Sequence, residues 1–101
     1  LILKDNKKFT SKSLNDTFLS VLEKYDTETQ DLEKKAKLNY MRSDFIYNIL
    51  RSNYGSKDYP TSELTILKKQ AINLAQDALK FMNGNELLNY IITDLEKQTL
   101  Y

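Results

Sequence analysis

The sequence predicts an all-α protein, an antiparallel four-helix bundle with a short N-terminal arm, on three observations. Only two glycines and one proline occur in 101 residues, too few for the tight turns of a β-sandwich or barrel. Apolar residues recur at three- and four-residue spacing in four separate stretches, the period of a helix with one buried face. The polar links between those stretches are short, which makes consecutive helices antiparallel neighbours. No internal repeat is present, so a helical solenoid is not expected. The arm is placed at residues 1–12 and the bundle domain at 13–101.

The arm, LILKDNKKFTSK, has no helical period. Leu1, Leu3 and Phe9 would dock it on the body, or it would form a short strand or stay disordered as termini commonly do. The chain opens at Leu1 rather than Met, which points to a missing upstream stretch. The first helix is expected from Ser13, with Asp16 completing an acidic capping box. Its core stripe is Leu14, Phe18, Val21, Leu22 and Tyr25.

The second helix is expected over residues 28–54, capped by Asp26 or Thr27. Acids lead (Glu28, Asp31, Glu33) and lysines follow (Lys34, Lys35, Lys37), as the helix dipole favours. At that length it would span roughly 40 Å, so a break near Asn39 is an open alternative. Gly55 stands at a C-cap position, within the turn cluster GSKDYP. Thr61 and Ser62 restart a helix in which Leu64, Leu67, Ala71, Leu74, Ala78 and Phe81 alternate regularly. Small Ala71, Ala75 and Ala78 would let a neighbour approach closely. Asn83-Gly84 ends that helix, Asn85 caps the last, and Leu88, Ile91, Ile92 and Leu95 form its apolar side.

The second helix carries two apolar sets. With Leu38 at zero and about 100° per residue, Met41, Phe45 and Ile49 fall within about 60° of it. Tyr40, Tyr47 and Tyr54 fall on the far side, at about 160–200°. Such a helix is central in the bundle or is half of an interface. The tyrosines either cover the bundle edge with wet hydroxyls or form a partner surface rimmed by Arg51 and Asp44. That surface would take a second copy of the chain or a different protein.

Net charge is +1, but it is uneven: Lys4, Lys7, Lys8 and Lys12 outweigh Asp5 at the start, leaving 11 basic against 13 acidic side chains in the rest. A body without basic excess argues against nucleic acid as partner. The helix after GSKDYP, with only Lys68 and Lys69, argues against a helix-turn-helix. The arm is a solvated tail or touches an anionic surface. Apolar residues make up 41% of the chain, yet no run approaches the ~20 that cross a membrane.

Histidine and cysteine are absent. That removes the commonest general base, the commonest metal ligand, the thiol nucleophile and any disulfide. Two glycines cannot build a phosphate loop. The Glu28, Asp31, Glu33 cluster is read as solvated acids at a helix start rather than a cation site. The expectation is a non-enzymatic protein with no cofactor and no metal.

A cysteine-free chain with SLNDTFLSVLEKY as first helix, and longer helices around the polar turn SNYGSKDYPTSE, resembles the bacteriocin immunity proteins of the enterocin A immunity-like family. Their fold is a small antiparallel four-helix bundle. The resemblance covers residues 13–100 in architecture; the first thirteen residues have no counterpart, and no family functional residue carries over. It implies a cytoplasmic protein of a Gram-positive bacterium, peripheral to the inner membrane face. Such a protein shields its producer by binding a receptor/bacteriocin complex. Abundant Asn, Lys, Tyr and Ile fit an AT-rich genome of that kind or of its phages. From the residues themselves, the expected partner-binding set is Tyr40, Tyr47, Arg51, Tyr54, Lys57 and Tyr59. The alternative is a homodimerising regulatory or phage-encoded protein-binding module.

Overall fold

A computed structural model describes residues 11–51 and 59–97, and among these it holds four helices and no strand. They are α1 (Ser11–Glu28), α2 (Leu32–Arg51), α3 (Thr61–Leu79) and α4 (Glu86–Lys97). Residues 1–10, 52–58 and 98–101, and with them most of the expected arm, Tyr54 and Lys57, lie outside the described residues.

The helix ends follow from side-chain chemistry, not always at the expected residue. α1 starts at Ser11, so Ser11 and Lys12 belong to the helix rather than to the arm. Ser13 lies inside it rather than at its cap: Lys12 donates to Asp16 at 2.8 Å and Thr17 to the Ser13 carbonyl at 2.9 Å. α1 also runs past Asp26 and Thr27, the residues expected to cap the next helix. Asp31 does that work, its Oδ1 accepting the Glu33 amide at 2.9 Å. Asp26 is drawn away because the α2 cations Lys35 and Arg42 pair with it, at 3.6 and 3.9 Å. α2 is unbroken over its 20 residues, roughly 30 Å.

α3 begins after Pro60, whose extended backbone (φ −64°, ψ 151°) leads in with no side-chain cap. Thr61 and Ser62 are already helical. Gly84 adopts φ +82°, the left-handed turn that frees the chain for α4. Asn85 then caps α4, accepting the Leu88 amide at 3.0 Å.

α2 and α3 form the central pair, α4 packs on both, and α1 rests chiefly on α2. Ala71, Ala75 and Ala78 are all fully buried, so the α3 backbone comes close to its neighbours. Ser43 fills the remaining space and donates to the Ala71 carbonyl at 2.8 Å. The main core joins Ile46, Ile49 and Leu50 of α2 to Leu64 and Leu74 of α3 and to Ile91 and Leu95 of α4. Ile49 of one apolar set and Tyr47 of the other therefore share one broad buried face of α2, with Met41 left outside. Phe81 continues the α3 pattern on paper, yet it lies beyond the helix and is 53% exposed.

α1 departs most from expectation. Of its five-residue stripe only Leu22 is buried; Leu14, Phe18, Val21 and Tyr25 face solvent. The side turned to the body carries charges beside its two leucines. Glu23 and Asp26 turn toward Arg42, and Lys12 reaches Glu63 of α3 at 3.4 Å. These residues share a helix face with Leu19 and Leu22, about 100° from the apolar stripe.

Leu88→Ala should cost about 2–5 kcal/mol in chemical denaturation, because the site is fully enclosed. Phe81→Ala should shift stability by less than about 0.5 kcal/mol, although the sequence pattern treats both positions alike.

Candidate protein-interaction surface

Heptad spacing sets Tyr40 and Tyr47 on one edge of α2, and Arg51 follows Tyr47 by one turn. The same one-turn spacing on α4 joins Tyr90 and Asp94. The two helices pack so that these pairs meet. Tyr47 donates to Asp94 Oδ2 at 2.7 Å. Arg51 Nε stands 3.7 Å from the same oxygen. The Tyr47 and Tyr90 rings meet edge to face, with centroids 6.1 Å apart and planes at 84°, the geometry that aromatic quadrupoles favour.

Tyr47 is 9% exposed and belongs to the main core. Burial, and then the Asp94 carboxylate beside it, push its phenol well above the usual tyrosine range. It is therefore a prop, and not itself an exposed contact. What the prop carries is exposed: Tyr90 is 57% accessible, and the Arg51 side chain also reaches solvent. A dimer built on the Tyr47 ring itself is ruled out by this burial.

The remaining expected residues separate. Tyr40 is half-buried against the smaller cluster of Ala75, Ala78 and Leu88. Tyr59 precedes α3 and is buried on the side facing α1, where its hydroxyl donates to Asp16 at 3.2 Å. The Lys12 ammonium sits 5.3 Å from the Tyr59 ring centre. Burial, with the Asp16 charge second, pushes the Tyr59 phenol up to about 12. Asp44, expected on the rim, accepts from the Asn48 amide on its own helix.

Asp94 and Tyr90 are not legible as site residues, since neither belongs to the apolar side of α4. The available signal was the Tyr90–Asp94 spacing, which matches Tyr47–Arg51. Arg42 was also missed: it is 7% exposed, wedged between Glu23 and Asp26. Of the acids at the α2 start, Asp31 is engaged in capping and Glu33 lies 3.8 Å from Lys37. Among the described residues no group of three His, Cys, Asp or Glu side chains could hold a metal ion. No described helix is long and apolar enough to cross a membrane.

Tyr47→Ala should cost about 3–5 kcal/mol in urea unfolding, and Tyr47→Phe about 1 kcal/mol for the lost hydrogen bond. The two raised phenols also set an alkaline limit. A tyrosine pKa raised by folding contributes stability that is complete below the unfolded value of about 10. That contribution is lost as pH rises toward the folded value. Stability should therefore fall between about pH 10 and 12, with tyrosinate absorbance rising in step. Tyr59→Phe should remove part of the pH dependence.

Comparison with protein-family models, with curated proteins and with solved structures finds no match for this chain.

Proposed function

We propose that the chain is a non-enzymatic, protein-binding bundle of the bacteriocin-immunity type. It shields its producer by engaging a receptor/bacteriocin complex from the cytoplasmic side of the membrane. The observation that supports this reading is the exposed Arg51 and Tyr90 held over the part-buried Tyr47–Asp94 hydrogen bond. Arginine and tyrosine dominate binding hot spots, because each offers a large contact area together with directed hydrogen bonds. A propped pair loses less entropy on binding than two free side chains. The surface sits at the C-terminal end of α2.

The test is survival. Gram-positive cells sensitive to pediocin-like bacteriocins, expressing this chain, should survive one toxin or a few of a panel. Arg51→Gln combined with Tyr90→Ala should abolish protection. Its helical circular dichroism and melting temperature should stay near those of the parent, because both side chains are largely solvent-facing. Sensitivity to every toxin in the panel would overturn the reading.

A further inference from the structure

The side of α1 that its periodicity marks as a core face is the side left in solvent. Leu14 (58% exposed), Phe18, Val21 and Tyr25 (57%) line it. α2 continues it with Met41, 47% exposed, and Phe45, whose ring centre is 4.6 Å from that of Phe18. Between Tyr25, Leu38 and Met41 the surface sinks into a groove of about 300 Å³, with Lys34 and Lys37 on its rim. A contiguous apolar face over two neighbouring helices is uncommon on a monomer. Its apolar part lies on the α1 side of α2, while Asp44 shares a row of α2 with Arg51, seven residues further on.

The charges beside the face identify what covers it. On the outer side of α2, Lys34 and Lys37 stand before Met41, and Asp44 and Asn48 stand after it. The order is basic, apolar, acidic. If α2 meets an antiparallel copy of itself, centred on Met41, residue 37 comes level with residues 44–45 of the other chain. Lys34 comes level with Asn48. Each Lys37 ammonium then faces an Asp44 carboxylate, twice per pair by symmetry. An isologous contact requires such self-complementarity, with one patch serving both sides. In the same arrangement α1 lies against its copy, Phe18 level with Tyr25. Both stripes are then buried in an intermolecular layer of four helices. The nearest alternative partner of Lys37 is Glu33 on its own helix, a long 3.8 Å contact between well-exposed groups, which holds it weakly.

We infer that the chain self-associates as a two-fold dimer through the outward apolar face of α1 and α2, in an antiparallel arrangement centred on Met41. The dimer does not rest on the immunity reading, because it is argued from the apolar stripes and from Lys37 and Asp44 alone.

Sedimentation equilibrium of the full chain across about three decades of concentration tests this. Dimer mass is expected at the upper end and monomer mass at the lower. Lys37→Glu and Asp44→Lys should each weaken association by about tenfold or more, because each sets like charges opposite one another. The double variant should restore it, which a merely structural effect would not do. Met41→Glu should give a monomer with unchanged helical circular dichroism. A monomer at every concentration overturns the inference; if its Met41 then resists peroxide, the face belongs to another occupant. A dimer indifferent to both charge reversals and to Met41→Glu overturns it as well. Toxin survival tests the immunity reading and sedimentation tests the dimer, so the two readings fail separately.

Discussion

The close approach of α2 and α3 is the constraint on which the rest of the structure depends. Ala71, Ala75 and Ala78 present almost no side chain, so the α3 backbone comes near enough for Ser43 to bond a main-chain carbonyl. That bond lies in the interior, where an unpaired hydroxyl would be costly. Short side chains at the centre also leave the larger ones, Ile46, Leu88, Ile91 and Leu95, to close the space toward α4. α4 carries nothing unusual in composition. Its position follows from filling the angle between the other two helices.

That position makes a tyrosine into a support. Tyr47 looks outward if α2 is drawn alone, and α4 converts its surroundings into core. The hydroxyl needs a partner once the ring is enclosed, and Asp94 supplies one. The same carboxylate neighbours Arg51, so one acceptor orients a buried phenol and an exposed guanidinium together. Charge and burial thus act on adjacent turns of the same two helices, and the exposed part inherits the rigidity of the enclosed part.

Much of the fold was legible because the signals were local. Gly84 and Asn85 sit next to the helix they start, and Leu88, Ile91 and Leu95 repeat within α4 itself. The α3 alanines likewise announced a close contact. What failed depended on residues far apart. The Tyr47–Asp94 bond spans 47 positions in the chain, so a helical wheel drawn on α2 could assign an angle but no neighbour. The start of α2 was ambiguous because Asp26, Thr27 and Asp31 are all good caps. The choice fell to Asp31 once Lys35 and Arg42 engaged Asp26. The face of α1 was misread for a related reason: periodicity shows that a stripe exists, not which neighbour covers it.

Docking α1 through charges makes it a different kind of element from the three helices beneath it. Its apolar anchors to the body are Leu22, the half-buried Leu19 and the Phe18 ring against Phe45, beside contacts from Lys12, Asp16, Glu23 and Asp26. Releasing it would uncover little of the core formed by α2, α3 and α4, so its opening free energy lies well below that of global unfolding. The molecule thus holds two cooperative units of unequal strength within one short chain. Amide protons of α1 would exchange by a local route that leaves the central pair closed. Added salt would widen the gap between the units, since it screens the half-exposed pairs that hold α1 and leaves the alanine contact untouched.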